Sequence, residues 1–212
     1  MKTTKGLLLI VSGFSGAGKG TIVKSFLEKN QDVKLSISAT TRERRVGEEE
    51  GVHYYYISTE QFEEMIRSGD MFEYASYVNN YYGTPKSFVM KELEQGNDVI
   101  LEIEMQGALQ VKSMYEDAIM IFVIPPHAQD LKDRLVGRNT ESMEVIHNRL
   151  RRSYEETELM NIYDYLIVND QLDDAVSTLS AIRVAEKSKY RRYTDLDTKF
   201  KKEIEELLNE RR

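Results

Sequence analysis

One short stretch limits the folds open to this chain more than any other: Gly13-Phe14-Ser15-Gly16-Ala17-Gly18-Lys19-Gly20-Thr21. An apolar run, Leu7-Leu8-Leu9-Ile10-Val11, leads into it, and a helical pattern leaves it and reaches about Lys29. Set between a strand and a helix, the spacing G-x-x-x-x-G-K carries a mechanism. The glycines let the backbone curl, so that successive N–H groups point inward at phosphate oxygens. The helix N-terminus adds roughly half a positive charge, and Lys19 can reach the β and γ oxygens of a nucleotide. Ser15, Gly16, Ala17, Gly18, Lys19, Gly20 and Thr21 are therefore the candidate phosphate cradle. Gly20 stands where such loops usually place the Ser or Thr that ligates Mg²⁺. The metal would then be held by nucleotide oxygens and water, which suits an ion that dehydrates reluctantly, and no protein ligand is assigned to it.

The rest of the chain predicts a sheet covered on both faces. Runs of aliphatic or β-branched residues mark strands over 7–12, 98–103, 118–124 and 165–168, and alternation at Val33, Leu35 and Ile37 marks a half-exposed one. Helical patterns fall near 105–114, 127–137, 141–160 and 171–189. Strands alternating with helices point to an α/β fold, a three-layer phosphate-loop core around a mostly parallel sheet. Residues 39–95 break this rhythm. Tyrosine is dense there, and short strand-like pieces flank a helix at about 59–68, as in an α+β insertion between two core strands. The tail is a charged amphipathic helix over 194–212, with Leu196, Phe200, Ile204, Leu207 and Leu208 on one face, expected to dock on the domain. The expectation is a single domain: core segments 5–38, 96–125 and 160–190, the insertion 39–95, and a helical lid 126–155.

Composition narrows the function classes. Of 212 residues 41% are hydrophobic, enough for a sizeable core. No apolar run approaches the roughly 20 residues needed to span a bilayer, and the first leads into glycines rather than a cleavage site. A cytoplasmic protein without a membrane partner is expected. The absence of cysteine excludes disulfides, thiolate metal sites and Cys nucleophiles. A net charge of −7, from 29 Lys+Arg against 36 Asp+Glu, argues against nucleic acid as a partner, since that affinity comes from neutralising phosphates. A small anion would instead need cations gathered locally, as in Arg42, Arg44 and Arg45, or Arg134, Arg138, Arg149, Arg151 and Arg152. His53, His127 and His147 are scattered and read as structural or surface residues. Glu104-Met105-Gln106-Gly107 weakly imitates a GTPase D-x-x-G, but no N-K-x-D accompanies it.

The stretch Ser36-Ile37-Ser38-Ala39-Thr40-Thr41-Arg42-Glu43-Arg44-Arg45-Val46-Gly47-Glu48, followed by Tyr54, resembles the S-x-S-x-T-T-R-x-x-R-x-G-E segment of the guanylate kinase family. The likeness continues in order through Phe72-Glu73-Tyr74, Asn80-Tyr81-Tyr82-Gly83-Thr84, Leu101-Glu102-Ile103-Glu104-Met105-Gln106-Gly107, Arg134 to Arg138, and Ile167-Val168-Asn169-Asp170. It implies phosphoryl transfer from ATP to GMP and dGMP, with Mg²⁺. Arg42 and Arg45 would hold the GMP phosphate, which planar guanidinium forks suit bidentately, with Tyr54 and Tyr82 donating hydroxyl hydrogen bonds. Glu73 and Glu104 would accept from the two donors on guanine's Watson–Crick edge, with Ser38 and Thr84 near the base. Glu104 stands where the family usually has Asp, Thr84 where Ser is common, Phe14 where Pro is, and Arg44 and Val46 where prolines often sit.

Such a transfer depends on positioning and charge neutralisation. The GMP phosphate is already a nucleophile, so no general base is required. The resemblance nominates Lys19, Arg134, Arg138 and Arg149 around the moving phosphoryl group, the arginines carried by a closing segment, and Asn169 on the ATP side. Arg151 and Arg152 read as exposed residues of an amphipathic helix. Two other readings stay open at this level: a guanylate-kinase-like module that binds phosphorylated peptides without catalysis, and a kinase for another nucleoside monophosphate.

Overall fold

The protein is seen in a computed structural model that describes residues 5–77, 79–137 and 142–209. In chain order the first elements are β1 (Leu8–Gly13), α1 (Lys19–Lys29), β2 (Val33–Leu35), β3 (Ala39–Thr40) and β4 (Tyr55–Tyr56). Then come α2 (Thr59–Arg67), β5 (Met71–Tyr77), β6 (Asn80–Pro85), α3 (Lys86–Glu94), β7 (Asp98–Glu102) and α4 (Met105–Met114). The chain continues through β8 (Ile119–Ile124), α5 (Ala128–Val136), α6 (Met143–Glu156), β9 (Tyr165–Val168), α7 (Leu172–Lys187) and α8 (Leu196–Asn209).

Because β1 is apolar at every turn of its pleat, it can only sit in the middle of a sheet covered on both sides. It does: five parallel strands run in the order β2-β7-β1-β8-β9, with Leu9 opposite Ile100 on one side and Ile119 on the other. Successive β1 residues feed different layers. Leu9 and Val11 join Ile22, Val23 and Phe26 of α1, Leu131 and Leu135 of α5, and Leu179 of α7. Leu8 and Ile10 face Val89 and Leu93 of α3, and Ala108 and Val111 of α4. The end of the 39–95 stretch thus packs against the core sheet, whereas β4-β3-β6-β5 form a second, mixed sheet around Phe62 of α2. There Ser58 caps α2 in a reciprocal pair with Gln61, and the Phe62 ring stacks on Tyr81 with centroids 5.1 Å apart.

An ion cluster fastens α7 to the N-terminal edge of the core sheet. Asp98 is fully buried; it accepts from the Leu7 N–H at 2.9 Å and from Arg183 Nε at 2.6 Å, and pairs with Lys187 at 2.7 Å. Arg183 also pairs with Asp32 and donates to Asn30 Oδ1. Charges this far from water persist only when every lone pair is met.

The structure corrects three expectations. The alternation at 33–37 yields a strand that ends at Leu35. The helix expected over 141–160 gives way after Glu156 to a 3₁₀ turn, Thr157–Ile162. The tail forms its helix, but α8 buries none of its residues, so it is not docked. Periodicity dictates that α8 is a helix; it says nothing about what covers the stripe.

Candidate active site

Among the described residues, the glycine-rich loop follows β1, Glu104 follows β7 and Asn169 follows β9, all at the C-terminal ends of core strands, where open parallel sheets bind ligands. The loop after β1 reaches α1 through Gly18, at φ 91° in the left-handed region, and no side chain caps the helix. The first N–H groups of α1 therefore remain for an anion. A Cβ on Gly18 would stand 2.3 Å from Asn169 Nδ2, and Gly16, also at φ 91°, passes close to Leu135. Phe14 turns its ring inward, edge-on to Phe122 at 5.1 Å, which explains an aromatic at this place in the loop.

Two residues from distant elements brace the cradle. Asn169, buried just after β9, donates from Nδ2 to the Ala17 carbonyl at 2.8 Å. Arg134 of α5 donates to the same carbonyl at 3.2 Å and to the Asn169 carbonyl at 2.9 Å. Both were expected on the ATP side; here they hold the loop itself. From α6, Arg149 donates to Ser15 Oγ at 2.6 Å, bringing that helix onto the loop. Arg138 lies outside the described residues.

Lys19 bends back over the loop and donates to the Gly13 carbonyl at 2.6 Å and that of Phe14 at 3.4 Å. Burial lowers its ammonium pKa, opposed by the carboxylates of Glu104, Glu102 and Glu156. Lys19, Glu102 and Glu104 line two cavities at once. One, of about 440 Å³, is walled by Ser15, Gly16, Gly18, Gly20 and Thr21. The other, of about 730 Å³, includes Ser38, Tyr54, Glu73, Tyr82, Gln106 and Gly107.

In the larger cavity Glu73 is nearly buried, and its Oε1 accepts from the Thr84 hydroxyl at 2.6 Å. Burial raises its pKa above the usual carboxylate range, partly offset by Thr84. Thr84 itself is buried and meets the site through Glu73. A Cβ on Gly107 would come within 2.9 Å of Glu73 Oε2, so the glycine leaves that carboxylate its room.

Arg42 is stationed beside the tyrosines, its guanidinium 5.6 Å from the Tyr54 ring centre and 5.9 Å from that of Tyr56. It donates to the Glu43 carbonyl at 2.7 Å and to Glu48 Oε1 at 2.8 Å. Glu48 also accepts from the Arg45 N–H and the Tyr56 hydroxyl, both at 2.8 Å. Its hydrogen bond from Arg42, above all, pulls its carboxyl down to about 2. The Arg45 side chain is exposed on the same loop. The spacing of this segment carried no role for Glu48; only the folded loop shows it as the clamp on Arg42.

Arg152 is an exposed residue of α6, as the amphipathic pattern predicts. It faces the cleft, pairing with Glu104 Oε2 at 2.7 Å and Glu156 Oε1 at 3.1 Å. The available signal was its position three residues after Arg149, which puts both on one helix face.

A phosphate loop on a five-stranded parallel sheet, facing a second cavity rich in tyrosine and carboxylate, defines the protein as a phosphate-loop α/β protein with room for two ligands. Comparison with known proteins narrows the class. A sequence model of the guanylate kinase family matches residues 5–186. Among curated relatives, the guanylate kinase of Clostridioides difficile (strain 630) is 49% identical, over 96% of this chain and all of that protein. That of Caldanaerobacter subterraneus subsp. tengcongensis is 48% identical, over 94% of this chain and 97% of that one. A crystal structure of guanylate kinase from Anaplasma phagocytophilum superposes with a TM-score of 0.74 at 30% identity, covering 93% of this chain and 95% of that one. This chain belongs to the guanylate kinase family.

Proposed function

We propose that this protein transfers the γ-phosphoryl group of ATP to GMP, giving ADP and GDP, with dGMP as a further acceptor. The observation that carries the reading is the position of Lys19, a phosphate-loop lysine lining both cavities. ATP phosphates lie in the cradle of residues 15–21, and guanosine lies beside Glu73. The acceptor phosphate then meets the γ-phosphoryl group across Lys19, with Arg42 and Arg45 on the acceptor side and Arg149 and Arg138 on the donor side.

Glu73 and Glu104 accept from the guanine donors, and Thr84 orients Glu73 by donating to its other oxygen. Adenine offers no matching pair of donors, and buried polar groups left unpaired discriminate strongly, by about 10⁴–10⁵ where a site is built for them. Ser38, Tyr54 and Tyr82 complete the acceptor pocket. The segment 126–155 serves as a lid, and its closure excludes water that would otherwise take the phosphoryl group. The GMP phosphate attacks directly, so no side chain needs to remove a proton. An intact Lys19 and loop favour this reading over a module that merely binds.

A divalent cation fits the donor set at the loop mouth. The Glu102 carboxylate stands within 3.5 Å of where a Cβ on Gly20 would be, and Thr21 lines the same cavity. Bound through its water shell to Glu102, Mg²⁺ would neutralise phosphate charge. No described helix is long and apolar enough to cross a membrane; the proposed substrates fit a role in purine nucleotide metabolism, and a cytoplasmic location is part of the same proposal.

The test is an ADP-release assay with GMP, AMP, UMP and dTMP as acceptors. Only GMP and its deoxy form should support turnover. Lys19→Ala should lower kcat by about 10²–10³, the usual cost of one preorganised donor to transition-state charge. Glu73→Gln should lower kcat/KM for GMP by roughly 10–100-fold while leaving the KM for ATP in place. Equal turnover of AMP and GMP by the wild type, or full activity in Lys19→Ala, would overturn the assignment.

A further inference from the structure

The apolar stripe of α8 is open along its length: Phe200 is 46% exposed, Ile204 53%, Leu207 62% and Leu208 68%. With Leu196 these residues recur every three or four positions, so they share one face. A continuous exposed face of this kind marks an interaction surface. The helix also lies beyond residues 5–186, the part matched by the family.

The order of charges on α8 indicates what that surface meets. After Asp197 in the first turn, Lys199, Lys201 and Lys202 fill the rest of its first half, and Glu203, Glu205 and Glu206 occupy its second. Asp197 suits the macrodipole, but the lysines and glutamates after it run against its preference for acids at the N-terminus and bases at the C-terminus. Its internal pairs, Lys199 with Glu203 at 3.7 Å and Lys202 with Glu206 at 3.9 Å, also run in the weaker direction, lysine before glutamate. Laid antiparallel against its own image, the same helix matches itself, basic half to acidic half.

We propose that α8 pairs antiparallel with α8 of a second copy of this chain, forming a two-fold dimer. A two-fold axis at the level of Lys202, which points away from the stripe, sets Leu196 level with Leu208 of the second copy and Phe200 level with its Ile204. On the flanks Lys199 then lies beside the other Glu203, and Lys201 beside the other Glu205. The contact is isologous, so each of these pairs occurs twice and the assembly closes at two chains.

Light scattering behind size exclusion, with sedimentation equilibrium for the Kd, tests this on the full chain. The wild type should have twice the mass of one chain. Lys199→Glu with Lys201→Glu makes both flanks of the stripe acidic, with Lys202 left on the far face, and Glu203→Lys with Glu205→Lys makes the flanks mainly basic; each variant alone should raise the dimer Kd at least about tenfold. An equimolar mixture of the two should recover the dimer, because each helix then faces its opposite. GMP-dependent turnover reports that both variants remain folded. A monomeric wild type, dimers that both variants keep, or a mixture that stays monomeric would each overturn the proposal.

Discussion

Arg42 is held by Glu48 in the free protein, and that contact has a measurable signature. The Arg42 hydrogen bond lowers the Glu48 carboxyl to about 2 and raises the guanidinium's own pKa further. A carboxylate whose folded pKa is depressed contributes stability above its ordinary value, and the contribution disappears as pH falls through the folded one. The Arg42–Glu48 contact should therefore persist from neutral pH down to about 2 and break below it. If the GMP phosphate engages Arg42 as proposed, Glu48 would lose its main partner, and its midpoint should move up toward the usual glutamate range. Carbon-13 titration of the side-chain carboxyls with and without GMP reads this directly. A midpoint indifferent to GMP would mean that Arg42 does not leave Glu48 for the ligand. Glu73 shifts the opposite way: burial holds its pKa high, so guanine recognition should weaken with acidification earlier than for an ordinary glutamate.

Among the elements, the loop between β1 and α1 is the least tolerant of change. Gly18→Ala adds a Cβ 2.3 Å from Asn169 Nδ2, in a backbone conformation at φ 91° that disfavours any side chain. Asn169 would have to release the Ala17 carbonyl, and the cradle would lose its brace. A loss of about 1–3 kcal/mol in thermal denaturation is expected from the backbone alone, together with weakened ATP binding. Gly96→Ala is the control. Gly96 sits at φ 88° with nothing within 4 Å of its would-be Cβ, so that variant should lose stability but bind ATP normally. If the two variants bound ATP equally, the collision with Asn169 would not be what matters. Such loop chemistry was legible from local spacing, because glycine geometry and helix dipoles act over a few residues. The brace was not, since Ala17 and Asn169 are 152 positions apart in the chain.

Over the whole molecule, the site and the main ionic anchor occupy opposite edges of one sheet. The ligand groups follow the C-terminal ends of the strands, while Asp98 begins β7 at the other edge. Asp98→Ala would leave the buried Leu7 N–H without its acceptor and remove from Arg183 and Lys187 the carboxylate they share, at a cost of about 3–5 kcal/mol. Its melting temperature should fall well below that of the wild type, while kcat measured well under the transition stays close to normal. A large loss of kcat with an unchanged melting temperature would refute this separation of roles. Strands, helices and the phosphate loop were readable from residues alone: 105–114 is the helix its pattern predicts, and 165–168 the strand. These features depend on side-chain period and backbone sterics between near neighbours, which order along the chain encodes, although it placed neither the end of β2 at Leu35 nor the break after Glu156. The partners of charged groups were not readable. Arg152 is exposed, as its helix predicts, but its partner Glu104 lies 48 positions away, and α8 reads as a docked helix although none of its residues is buried. Local order thus determined which elements exist and where the glycine-rich loop falls between β1 and α1. Tertiary structure alone decided which charges meet and which faces are left open, because those depend on distances through space that no short stretch of sequence contains.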